Sequence, residues 1–133
     1  IQAGSYIFMD AEYETVIYES GKAWPFENAL FVQTAVISTN VAGFVTTDAG
    51  TKAFALNGPA PRVISAGLET ATYSYAGDEH GRLHLKNDAV RPVIGDVIEC
   101  VVSHNDPTVA LYGHYHCVRA DRLVDLWDVS ARR

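Results

Sequence analysis

The stretch SHNDPTVALYGHYHCV, residues 103–118, holds three of the chain's five histidines together with an aspartate and a cysteine. In an extended segment, side chains at i and i+2 point to one face. His104 and Asp106 would then present an imidazole beside a carboxylate, with Asn105 turned away. Such a pair suits a borderline or hard divalent ion such as Zn²⁺ or Mn²⁺. Pro107 lacks a backbone donor and stiffens the chain just after the pair. Two protein ligands leave a shell that water or substrate must complete. The same H-x-D-P spacing also suits a turn in which Asp106 accepts from local backbone N–H groups. Spacing alone leaves both readings open. His114 and His116 flank Tyr115 and read as half-buried strand residues. Cys100 and Cys117 read as small buried hydrophobes.

Two further clusters carry polar groups. In AGDEHG, residues 76–81, Glu79 and His80 sit between glycines. That arrangement either lets the backbone approach a ligand closely or makes a hairpin turn with solvated charges. In TTDAGTKAF, residues 46–54, Asp48 stands at a strand end, where it is expected to cap a following helical turn. Lys52 is one of three lysines, with Lys22 and Lys86. A Schiff-base lysine needs a desolvated pocket. Nothing around Lys52 announces one, so it is given no such role.

The elements that must position these groups are strands. Residues 5–9, 29–39, 42–48, 70–76, 96–103 and 114–120 are rich in β-branched and aromatic side chains. Gly, Pro, Asn and Asp punctuate them. HCVRADRLVDLWDV reads as a hairpin turning at RADR. GTKAFALN, residues 50–57, is the single helical candidate. Many short strands at regular spacing predict an all-β fold, one β-sandwich or partly closed β-barrel spanning residues 1–133.

Bulk properties narrow the function. With 48% hydrophobic and 20% charged residues, the 133-residue chain has material for one core. A net charge of −6 argues against nucleic acid, which needs a basic surface that Arg132 and Arg133 alone do not supply. No apolar run reaches the roughly 20 residues that span a bilayer, so no membrane partner is expected. The start, IQAGSYIFMD, has neither an initiator Met nor a signal-peptide build, and reads as a cut inside a longer protein. Two cysteines make no disulfide framework, which fits a cytoplasmic location.

AGSYIFMDAEY, TTDAGTKAF, DEHGRL, GDVIECVVSHNDPTVALY and VDLWDVSARR occur in this order along the chain. Together they resemble the C-terminal β-domain of D-threonine aldolases. These belong to the D-serine dehydratase-like group of pyridoxal-phosphate enzymes, related in fold to alanine racemase. The resemblance covers essentially the whole chain and favours the metal reading of HND over the turn. It implies a two-domain parent: an N-terminal (β/α)₈ barrel carrying the Schiff-base lysine, followed by this domain. No catalytic residue is therefore expected within these residues, and the isolated chain should be inactive. A homodimer is implied, with some exposed apolar surface on this domain.

The group's metal pair lies just before a Pro-Thr dipeptide, where His104 and Asp106 fall. Dehydratases of the group typically place Cys at the second position, which favours zinc. Asp106 is a harder ligand, so Mn²⁺ is favoured here, with Zn²⁺ or Mg²⁺ as alternatives. At the middle position, often Cys in the group, this chain has Asn105, with little expected loss. QAGS resembles the segment beneath the cofactor. By that likeness Gly4 and Ser5 would meet the pyridoxal 5'-phosphate through backbone N–H groups, and Gln2 would approach its pyridine nitrogen. Tyr6 either faces the site or packs. Glu79 and His80 would contact substrate or support those that do, and Asp48 would be structural.

The implied reaction breaks the Cα–Cβ bond of a small β-hydroxy-D-amino acid. It yields glycine and an aldehyde, with the metal orienting the β-hydroxyl. Two readings compete. The parent could be a D-serine or 3-hydroxyaspartate dehydratase, against which Asp106 argues. Alternatively, the chain is a stand-alone, non-catalytic β-domain.

Overall fold

A computed structural model describes residues 4–17, 19–22, 24–86 and 90–130. Six strands form one antiparallel sheet: β1 (Phe31–Ser38), β2 (Phe44–Thr47), β3 (Arg62–Val63), β4 (Thr72–Tyr75), β5 (Gly81–His84) and β6 (Val97–Val101). Their order is β3-β6-β1-β2-β5-β4. The edge strands β3 and β4 approach each other, so the sheet nearly closes on itself. The expected all-β, partly closed barrel is what the chain forms.

Alternation explains the closure. Val32, Thr34 and Val36 of β1 are buried, and the residues between them are not. The register places Val63 opposite Cys100 and Cys100 opposite Val32, a buried row across β3, β6 and β1. Val45, Leu83 and Tyr73 make the matching row across β2, β5 and β4. Phe54 and Leu68, from the connections between strands, fill the interior between the two rows.

β7 (His114–Arg119) and β8 (Arg122–Asp128) form a separate hairpin, with Arg119 opposite Arg122. Ala120 and Asp121 have φ of 46° and 60°, as a two-residue type I′ turn requires. The expected hairpin at RADR is present. Val118, Leu123, Val124, Leu126 and Trp127 of this hairpin are exposed, so the expected apolar surface is there too.

Two expectations change. Residues 5–9 are not a strand: Ser5–Ile7 form a 3-10 turn, and Met9 has φ of 49°. Tertiary contacts described below override their β-propensity. GTKAFALN forms turns and bends but no helix. Its backbone donors point across instead of along: Thr51 N–H donates to Gly77 O (3.1 Å) and Lys52 N–H to Asp78 O (3.0 Å). Gly50 permits this docking, because a Cβ there would lie 2.3 Å from Gly77 O. The α-helix found instead is α1 (Asn105–Val109).

The cysteines divide. Cys100 is fully buried, and burial pushes its thiol up to about 12; Cys117 is only half-buried. We expect one thiol per chain to react with a disulfide reagent in the native state, and peptide mapping to place the label on Cys117. Equal labelling of Cys100 without denaturant would contradict this packing.

Candidate functional site

The polar residues of SHND sit where β6 ends and α1 begins. His104 is the N-cap of α1 and still extended, with φ −143° and ψ 128°; Asp106 lies in the first helical turn. The extended i, i+2 geometry is thus replaced by a strand-to-helix corner. Pro107 falls within the first turn, where its missing N–H costs nothing. His104 provides no side-chain cap. Its carbonyl accepts from Thr108 Oγ1 at 2.6 Å, and Thr108 Oγ1 in turn accepts from Ala55 N–H at 3.1 Å.

The cap comes from a distant segment. Asp10 is completely buried. Its Oδ2 accepts from Asn105 N–H at 2.8 Å, and its Oδ1 from Tyr13 N–H at 2.8 Å. Both carboxylate oxygens are therefore satisfied, which a buried charge requires. One side chain fixes the start of α1 and the 3-10 turn Tyr13–Thr15 together. Asn105 is buried, and its Nδ2 donates to Ser5 O at 3.1 Å. Ser5 Oγ donates to Asp106 Oδ1 at 3.3 Å. Among the described residues, the partner of the Asp106 carboxylate thus comes from the N-terminal segment and not from a local backbone N–H group.

The segment around Ala11 runs back along the exit of β6. Ala11 N–H donates to Val102 O (3.0 Å) and Glu12 N–H to Ser103 O (3.1 Å). Glu12 Oε2 contacts His104 Nδ1. The Tyr13 ring lies 5.9 Å from the imidazole. Sequence reading missed Asp10 and Glu12. Their only signal was an acid pair in MDAEY, with nothing to connect it to a histidine 92 residues on.

The other candidate residues are distributed as follows. Gly4 is exposed, and among the described residues a Cβ there would meet nothing within 4 Å. Tyr6 is exposed and packs on Phe26 at 5.2 Å between ring centroids. Gln2 lies outside the described residues. Glu79 pairs with Lys52 at 2.7 Å; this bond holds the Glu79 carboxyl below and the Lys52 ammonium above their usual ranges. His80 is exposed. The second and third polar clusters therefore meet, in an open depression lined by Asp48, Lys52, Glu79 and Tyr112. Asp48 does not cap a helical turn. Its Oδ1 accepts from Thr34 Oγ1 (2.6 Å) and Ala35 N–H (2.8 Å), which ties it to β1. His114 and His116 are strand residues but exposed; Tyr115 and Cys117 are the half-buried pair of β7. His114 faces Asp128 at 3.2 Å.

Among the described residues, no three His, Cys, Asp or Glu side chains are grouped to hold a metal ion.

The sequence pattern of the putative serine dehydratase domain matches residues 29–118, more than half of the chain. The chain belongs to this family. The family match ends just beyond the β6–α1 corner, at Val118 in β7. Over 132 residues the chain is 37% identical to a D-threonine aldolase of an Arthrobacter species, covering 99% of this chain and 34% of that protein. It is 35% identical over 135 residues to the 3-hydroxy-D-aspartate aldolase of Paracoccus denitrificans strain Pd 1222, again 99% and 34%. The crystal structure of D-threonine aldolase from Filomicrobium marinum superposes with a TM-score of 0.86 at 34% identity, over 97% of this chain and 35% of that one. The likeness to the C-terminal region of D-threonine aldolase thus holds in sequence and in structure. The chain spans about a third of the length of the relatives it matches. Among the described residues, no helix is long and apolar enough to cross a membrane.

Proposed function

We propose that this domain belongs to a pyridoxal-phosphate-dependent, metal-activated lyase that cleaves β-hydroxy-D-amino acids to glycine and an aldehyde, with acetaldehyde arising from D-threonine. The observation that carries the reading is the β6–α1 corner. There His104 and Asp106 are held by contacts from the N-terminal segment, in a chain whose relatives include two aldolases.

The residues fit a divalent ion. With Nδ1 engaged by Glu12, His104 has Nε2 as its remaining ring nitrogen. Ser5 engages one oxygen of Asp106, and the carboxylate has a second to offer. An imidazole with a carboxylate suits Mn²⁺, and also Zn²⁺ or Mg²⁺. When bound, the ion supplies a Lewis acid for the substrate hydroxyl and the cofactor supplies an electron sink for Cα. This chain's own part is to hold the ion with His104 and Asp106. Ser5 steadies Asp106, and the open backbone at Gly4 leaves room for a phosphate. Gln2 and Tyr6 belong to the same proposed cofactor-facing segment. Glu79 and His80 are proposed as substrate-side residues. The Schiff-base lysine and the proton acceptor are assigned to an N-terminal barrel, so the isolated chain is expected to be inactive. That barrel, or a second copy in a homodimer, would cover the apolar β7–β8 hairpin.

The dehydratase reading is favoured by one observation, the family's own description as a serine dehydratase domain. An assay separates the two. The full-length protein with pyridoxal phosphate and Mn²⁺ should convert D-threonine to glycine and acetaldehyde. Removing the ion should lower the rate at least roughly 100-fold, equivalent to several kcal/mol of charge stabilisation. Pyruvate from D-serine, without glycine from D-threonine, would establish the dehydratase instead.

A further inference from the structure

We propose that Glu12 is the positioning residue for His104, holding its Nδ1–H so that the ring's lone pair is left on Nε2. The inference rests on the metal-pair reading of His104 and Asp106. A carboxylate only accepts hydrogen bonds, so the imidazole proton in the His104–Glu12 contact sits on Nδ1. A neutral imidazole with Nδ1 protonated has its lone pair on Nε2. Glu12 thus selects the tautomer that ligates through Nε2, and it also sets the plane of the ring.

The contact is built into the fold. Glu12 N–H is anchored to Ser103 O at 3.1 Å, one residue before the histidine. Its own carbonyl accepts from Thr15 N–H at 3.0 Å and Thr15 Oγ1 at 2.7 Å. Both backbones are therefore pinned where the side chains meet. Gly58 clears the space: it has φ of +138°, and a Cβ there would stand 3.4 Å from Glu12 Oε2 and 3.3 Å from Ser103 O. Asp10, the other acid of the segment, does not compete for the ring, because Asn105 and Tyr13 occupy its oxygens. The His104 side chain is 16% exposed against 46% for Glu12. The ring is thus the enclosed partner and the carboxylate reaches it from the rim.

The test is Mn²⁺ binding to the full-length protein without substrate, read from the free-ion electron paramagnetic resonance signal, for Glu12→Ala, Glu12→Gln and His104→Ala. Carboxylates behind metal-bound histidines contribute about 10–100-fold in affinity. Glu12→Ala should weaken Mn²⁺ binding by about that factor with at most a small fall in the urea midpoint. Glu12→Gln should recover part of the loss, because the amide oxygen still accepts from Nδ1–H; a contact that only braced the fold would give no such graded recovery. Affinity of Glu12→Ala within twofold of wild type, while His104→Ala abolishes binding, would overturn the role of Glu12 and leave the metal pair standing. Undiminished binding by His104→Ala would remove the metal pair itself, and the inference with it.

Discussion

His104→Ala in the full-length protein is expected to lower metal-dependent turnover by at least about 100-fold with little change in folding. A missing ligand should cost no less than a missing group behind the ligand, which is worth about 10–100-fold. The fold uses the histidine mainly through its backbone. His104 O accepts from Thr108 Oγ1 at 2.6 Å, and the following N–H, that of Asn105, is held by Asp10. Alanine keeps both. What the substitution removes is the side-chain contact to Glu12, a side chain 46% exposed, together with the ring contact to Tyr13. For so solvated a partner the loss in stability should be about 1 kcal/mol or less. Rates with and without Mn²⁺, together with urea unfolding, measure the two effects separately. Wild-type turnover by His104→Ala would exclude the residue from the site. A collapsed urea midpoint would show instead that the imidazole is part of the packing at the corner.

What the sequence made legible follows from which forces act locally. The burial alternation of β1 is written in its residues, with Val32, Thr34 and Val36 inward. The β7–β8 hairpin could be read because Arg119 to Arg122 close it with a two-residue turn. By contrast, β5 is four residues long and begins with Gly81, the last residue of the AGDEHG cluster, and it was not among the expected strands. The helix α1 has the sequence NDPTV, five residues without a strong helix former. Its start depends on a carboxylate 95 residues away, that of Asp10. No window along the chain could have shown it. The same separation hid Glu12, while His104 and Asp106 were visible because they are two residues apart. Lys52 and Glu79 each drew notice alone, but the ion pair needed the docking of residues 50–52 onto Gly77 and Asp78. Local pattern therefore exposed the candidate ligands, and long-range pairing supplied what positions them.

The largest effect on stability is expected at Gly81. It lies in β5 opposite both Thr47 of β2 and Tyr75 of β4. A Cβ at this position would fall 1.9 Å from Tyr73 Oη, 2.3 Å from its Cζ and 2.6 Å from Ala49 O. The phenol cannot easily yield. It is buried, and burial pushes its pKa up to about 12, so it keeps its proton. That proton goes to Ala49 O at 2.6 Å, and the Thr47 hydroxyl, also 2.6 Å away, must therefore be the donor in its contact with Tyr73 Oη. Gly81→Ala forces this ring or the 49–50 turn to move, and the turn is itself wedged against Gly77 and Asp78. Overpacking costs about 1–3 kcal/mol, and disrupting the two buried hydrogen bonds adds a similar amount. The expected loss is thus roughly 2–6 kcal/mol, a large share of the roughly 5–15 kcal/mol that stabilises a typical domain. At a urea slope of about 1–3 kcal/mol/M, the midpoint should fall by about 0.7 M or more, if it remains measurable. Gly113→Ala is the matched control. A Cβ there meets nothing within 4 Å and its backbone has no positive φ, so its effect should stay within about 0.5 kcal/mol. If the two variants unfold at the same urea concentration, the phenol is not held as tightly as its two hydrogen bonds require. The closure of the sheet around Tyr73 would then need another explanation.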